Sequence, residues 1–198
     1  MANVTALRKA LIVVDVQNDF CPGGALAVQG GDEIVAPINK MIELAINTGA
    51  TVIATRDWHP AKTNHFKDFG GLWPAHCVQG TIGAEFHPDL DFKDREVVVS
   101  KGVGNGEDAY SGFDGKVGDR GLQTLLEEWG VDTVYVVGLA TDYCVKATAL
   151  DAIKHGFKTF LIDDCCRAVN INPDDGDNAI WEMVKAGATI IDSNKVYF

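Results

Sequence analysis

Residues 133–163 read TVYVVGLATDYCVKATALDAIKHGFKTFLID. The apolar, β-branched run Thr133–Gly138 predicts a strand, and its lack of polar alternation predicts one buried on both faces. Beyond Gly138 the pattern changes. Val145, Ala149, Ile153 and Phe157 recur at helical spacing, and Gly156 stands where a left-handed cap would stop the helix. Lys158–Asp163 then predicts a second buried strand. A strand, a helix and a strand in so short a span form a crossover between parallel neighbours, which is right-handed.

The same rhythm extends outward in both directions. Ala10–Val16, Thr51–Arg56, Glu96–Lys101 and Thr189–Ile191 predict further strands. Ile34, Ile38, Met41, Ile42 and Ala45 mark one helix, Leu122, Leu125, Leu126 and Trp129 another, and Ile180, Met183 and Val184 a last one. Gly49, Gly130 and Gly187 follow as stop signals. Alternating strands and helices predict an α/β fold: a three-layer α/β/α, Rossmann-like arrangement around a six-stranded parallel sheet, every strand pointing the same way. No linker, repeat or low-complexity tract interrupts residues 1–198, so the expectation is a single domain. Asp57–Arg95 breaks the rhythm, with Gly, Pro, His and aromatic residues and little periodicity. Loops of that length in compact domains tend to carry function.

Composition narrows the partners. Of 198 residues, 17 are Lys or Arg and 28 are Asp or Glu, a net charge of −11, and no basic run exceeds Arg8-Lys9. A nucleic-acid footprint or an anionic membrane surface requires clustered cations, so neither partner is expected. The N-terminus, Met1 to Thr5, and the short apolar run after it are too brief for a secretory leader or a membrane span, and a cytoplasmic setting is expected. Cys21, Cys77, Cys144, Cys165 and Cys166 are odd in number and lack C-x-x-C spacing, as expected for reduced thiols.

Ligands of an open parallel sheet bind at the carboxyl ends of its strands. Those ends carry Asp15, then Asp57-Trp58-His59, then Lys101, then the segment Gly138-Leu139-Ala140-Thr141-Asp142-Tyr143-Cys144. Thr141 or Asp142 would cap the following helix, placing Cys144 in its first turn, where the dipole and free N–H groups favour a thiolate. A carboxylate near a thiol is the base such a nucleophile needs. An ammonium between them would keep that carboxylate ionised and stabilise developing thiolate. Asp57-x-His59, with His65 and His76 in the loop beyond, offers one carboxylate and several imidazoles, a donor set for Zn, Fe or Mn. Each residue also has an ordinary reading: Cys144 as packing, Asp15 as a turn residue, Lys101 as a solvated cation, Asp57–His59 as a hydrogen-bonded pair. Their convergence on one sheet edge favours chemistry. His87 and His155 read as surface residues, and Cys165-Cys166 as packing.

These segments resemble the nicotinamidase branch of the isochorismatase-like cysteine hydrolases. The likeness runs through Asp15-Val16-Gln17-Asn18-Asp19-Phe20, Arg56-Asp57-Trp58-His59-Pro60, Trp73-Pro74-Ala75-His76-Cys77-Val78, Lys101-Gly102, Tyr110-Ser111-Gly112-Phe113 and the Cys144 segment. The first and last pieces mark the wider superfamily, while D-W-H-P and W-P-x-H-C mark the nicotinamidases. The resemblance implies a catalytic triad of Asp15, Lys101 and Cys144. It implies a cis peptide between Leu139 and Ala140, with the N–H groups of Ala140 and Cys144 forming the oxyanion hole. Phe20, Trp73 and Tyr110 would enclose a pyridine ring, and Asp57, His59 and His76, with His65 as a further ligand, would hold one divalent metal ion, zinc first, then iron or manganese. The expected reaction is hydrolysis of nicotinamide, and of pyrazinamide, through a Cys144 thioester in NAD salvage. The partner would be that small molecule, and a homo-oligomer is compatible with it. An amidase for N-carbamoyl compounds, an isochorismatase-type ether hydrolase, a non-catalytic binding module and a redox thiol protein are the rival readings.

Overall fold

A computed structural model describes residues 8–106 and 109–198. The N-terminal pentapeptide read above for a leader lies outside these residues. Among the described residues, no helix is long and apolar enough to cross a membrane.

The elements are β1 (Arg8–Val14), α1 (Val35–Thr48), β2 (Thr51–Asp57), β3 (Glu96–Lys101), β4 (Lys116–Val117), β5 (Arg120–Gly121), α2 (Leu122–Glu128), β6 (Val131–Leu139), α3 (Lys146–Lys154), β7 (Lys158–Arg167), α4 (Asp175–Ala186) and β8 (Thr189–Ile191). They build one sheet of order β5-β4-β3-β2-β1-β6-β7-β8. Six strands are parallel as expected, but β4 pairs antiparallel with β3, and β5 antiparallel with β4. The sheet is therefore eight-stranded and mixed, which corrects the expectation of six strands with one direction. Strands of two residues are too short to leave a period in the sequence.

The central strand explains its own composition. Leu11 and Val13 of β1 pack with α1 on one face. Ala10, Ile12 and Val14 pack with α2, α3 and α4 on the other. Five consecutive apolar residues are fully buried because both faces are covered. Gly49, the residue after α1, adopts φ 80°, the left-handed stop anticipated from its position.

The order of strands reverses at β1. The chain moves from β1 to β2 on one side, yet β6 joins β1 on the other. Connections that leave adjacent strands in opposite directions open a crevice above their carboxyl ends, the place where such sheets bind ligands. β1 delivers Asp15 to that crevice, one residue beyond its last paired position, and β6 delivers the Cys144 turn.

The two strands meet at Val14 and Gly138, which are partners in register. Gly138 has φ 119°, and a Cβ there would overlap the backbone of Val14. Only glycine fits. Gly138→Ala is therefore expected to destabilise the fold by about 2 kcal/mol or more, measured as a lower urea midpoint with unchanged slope.

Candidate active site

Lys101 ends β3 and is almost fully buried, with 1% of its surface exposed. Its Nζ lies 2.9 Å from Asp15 Oδ2, is ion-paired to Asp57 Oδ1, and donates to Ala109 O at 3.2 Å. It also reaches Cys144 Sγ at 3.5 Å. A thiol sulfur and one carboxylate oxygen each of Asp15 and Asp57 thus lie within 4.8 Å of one another around a single ammonium. Thr55 Oγ1 donates to Asp15 Oδ1 at 2.6 Å and fixes the carboxylate plane.

Burial and charge compete here. For Lys101, burial disfavours the ammonium, but Asp15 and Asp57 outweigh it and hold the group charged well above its ordinary range. Burial also works against the Asp57 carboxylate, yet the Lys101 ammonium pulls it well below the usual range. Asp15 is raised, because burial and neighbouring Asp57 exceed the help from Lys101. Cys144 is pushed well up by burial, against the opposing pull of Lys101.

The structure corrects the expected cap by Thr141 or Asp142. Thr141–Val145 form a π-helical turn, with Ala140 at the cap position and no side-chain cap bond. The Asp142 carboxylate is engaged elsewhere, accepting the N–H groups of Val169 and Asn170 at 2.9 Å each. Two charge-assisted bonds to the loop after β7 outcompete a local cap. The Leu139–Ala140 peptide is cis.

Beside this cluster stand three histidines. His59 Nδ1 meets Gly102 O at 3.1 Å, and His76 Nδ1 meets Pro74 O at 2.8 Å. A carbonyl only accepts, so both Nδ1 atoms carry the proton and both Nε2 atoms present lone pairs. Those Nε2 atoms lie 3.6 Å and 3.7 Å from Asp57 Oδ2. His59 Nε2 is buried without a hydrogen-bond partner. His65 stacks on His59 with ring centroids 4.5 Å apart, and one ring nitrogen from each histidine falls within 4.8 Å of the others. The orphaned His59 Nε2, with ring nitrogens of His65 and His76 converging on it beside a carboxylate, fits a divalent cation of the zinc, iron or manganese type, and the carbonyls of Gly102 and Pro74 orient the His59 and His76 rings.

One pocket joins the two clusters. Cys144, Ala140, Asp57, His65 and His76 all line it. The expected Phe20, Trp73 and Tyr110 form its walls, with Trp73 Nε1 donating to Tyr110 Oη at 3.0 Å. Tyr143 completes them, edge-on to Trp73 at 5.1 Å between centroids. Leu26, Val28, Leu139 and Val169 also line it and were not anticipated. They sit in or beside irregular segments with no period to expose them, and only the Asp142 clamp shows why Val169 is present. His87 and His155 are partly exposed, and Cys165 and Cys166 are buried inside β7 rather than at its end.

The isochorismatase domain family matches residues 9–195. The nicotinamidase of Escherichia coli (strain K12) is 43% identical over 92% of this chain and 93% of its own. Among solved structures, a pyrazinamidase of Pyrococcus horikoshii in complex with zinc is 45% identical with a TM-score of 0.86, covering 93% of this chain and 99% of that one. PnC1 from L. infantum in complex with nicotinate is 36% identical with a TM-score of 0.87, covering 99% and 98%. Sequence, fold and pocket agree along almost the whole length, and the chain belongs to the isochorismatase domain family, on the branch that holds the nicotinamidases.

Proposed function

We propose that this protein is a nicotinamidase, hydrolysing nicotinamide to nicotinate and ammonia with Cys144 as nucleophile. The observation that carries the reading is the buried Lys101 ammonium, shared by Asp15 and Asp57 and 3.5 Å from the Cys144 sulfur, beside an aromatic slot that His65 and His76 also line. The nicotinamidase and pyrazinamidase relatives support the substrate class.

In the proposed reaction Phe20, Trp73, Tyr110 and Tyr143 hold the flat ring, whose carboxamide faces Cys144. A divalent cation held by Asp57, His59, His76 and His65, zinc by preference, would supply a Lewis-acidic contact for the ring nitrogen. Asp15 takes the thiol proton as sulfur attacks the carbonyl carbon, and Lys101 stabilises the charge that passes between them. The N–H groups of Ala140 and Cys144 receive the oxyanion, each such donor being worth about 3 kcal/mol. The tetrahedral adduct collapses, its C–N bond breaks, and Asp15 returns the proton to the leaving nitrogen as ammonia. Water then gives its proton to Asp15 and attacks the thioester carbon. Cys144 leaves, regains a proton, and nicotinate is released for pyridine-nucleotide salvage in the cytoplasm. Pyrazinamide presents the same ring nitrogen and carboxamide and should be hydrolysed too.

An N-carbamoyl amidase would share Asp15, Lys101 and Cys144 without needing the histidine cluster. Chelated protein should lose nicotinamide turnover and regain it on adding zinc; full activity after removal of all metal would favour that rival. Cys144→Ala should reduce ammonia release by about 10⁴-fold or more while zinc content and thermal midpoint stay near native. Near-native turnover in that variant would defeat the thiol mechanism. Lys101→Ala should behave differently. It strips the cation from two buried carboxylates, so a loss of about 3–5 kcal/mol in stability is expected alongside lost activity, read by urea unfolding.

A further inference from the structure

The ladder between β1 and β2 ends at Val14 and Thr55. Asp15 still donates its N–H to Thr55 O at 3.2 Å, but its φ of 49° turns the chain away. Asp57, two residues further along β2, therefore has no strand partner on that side. Gln17 takes the place of one. Its Oε1 accepts the Asp57 N–H at 2.8 Å, and its Nε2 donates to Asp57 O at 2.8 Å and to Ala84 O at 2.8 Å. A fully buried side-chain amide thus completes the β-sheet pairing of a single residue. On its other side Asp57 is paired in register with Lys101.

Two residues later Asp19 fastens the second arm of the histidine cluster. Its Oδ2 accepts the N–H of Cys77 at 2.7 Å, while its Oδ1 accepts the N–H of Ala25 at 3.1 Å. Cys77 follows His76 directly and has φ 45°, a conformation costly for a non-glycine residue. Its carbonyl in turn accepts the N–H of His59 at 2.9 Å. The Asp19 carboxylate therefore holds Cys77, the residue on which the backbones of His59 and His76 meet. A Cβ on Gly83 would overlap that carboxylate, so the close approach of the neighbouring loop also depends on it.

We propose that Gln17 and Asp19 are positioning residues that set the Asp57, His59 and His76 donors in register with the Asp15 base. Neither lines the substrate pocket. The alternation Asp15-x-Gln17-x-Asp19 then has three separate tasks: proton transfer, alignment of Asp57, and alignment of the His76 loop. The proposal rests on the reading of these donors as metal ligands, and its test separates the two.

The test is zinc affinity, measured by competition with a chromophoric chelator on the full-length apoprotein. Gln17→Met keeps volume and removes the three hydrogen bonds, and Asp19→Asn removes one acceptor without changing shape. Each should weaken zinc binding by about 10-fold or more, the range for residues that orient ligands from behind, and should lower kcat/KM at saturating zinc. Asn39→Leu is the control. Asn39 makes an equivalent two-point clamp, on Asp89 O and Asp91 N, away from the site. Its loss should leave zinc affinity native whatever happens to thermal stability. Folded Gln17→Met and Asp19→Asn proteins with zinc affinity within about twofold of wild type would overturn the proposal. Should Gln17→Met fail to fold by circular dichroism, the half-buried Asp19→Asn decides alone. Wild-type protein that binds no stoichiometric zinc would overturn the ligand assignment itself, and the positioning role with it.

Discussion

Almost everything in this molecule is arranged around one buried cation. Lys101 is withdrawn from water to a place where an isolated ammonium could not remain charged, and Asp15 and Asp57 keep it so. The dependence is mutual. Two carboxylates that close, without the ammonium between them, would have to take up and share a proton. Three adjacent parallel strands each contribute one member, so the triad of charges is as fixed as the sheet register that pairs Asp57 with Lys101. The sulfur comes from the fourth, β6, on the far side of β1.

The pocket divides its work by polarity. Aromatic and aliphatic walls exclude water, which strengthens every charge interaction within it. Burial raises both Asp15 and Cys144, and the Lys101 ammonium opposes that rise at each.

The stretch from Trp58 to Arg95 contains only single helical turns and isolated bridges, yet His59, His65 and His76 are all buried within it. Its order comes from a few strong anchors in place of a hydrogen-bond ladder. Carbonyl oxygens of Gly102 and Pro74 orient two imidazoles. Gln17 and Asp19, from the segment after β1, tie the surrounding backbone to the strand that carries Asp15. Irregular backbone suits this purpose, because some of its N–H and C=O groups are left available to side chains.

From the amino-acid order alone, the six longer strands, the four helices and their glycine stops were legible, since apolar periodicity and caps are local properties. So were the residues that stand at strand ends, because topology places them together whatever their neighbours do. The short β4 and β5, the π-helical turn at Cys144, the duty of Asp142 toward Val169, and the pocket roles of Leu26 and Val28 were not. Nor was the pairing of Gln17 with Asp57, residues 40 apart in the chain. Which hydrogen bond a side chain makes over such a distance is settled by how the sheet and its loops pack, and it leaves no trace in the sequence near the residue concerned.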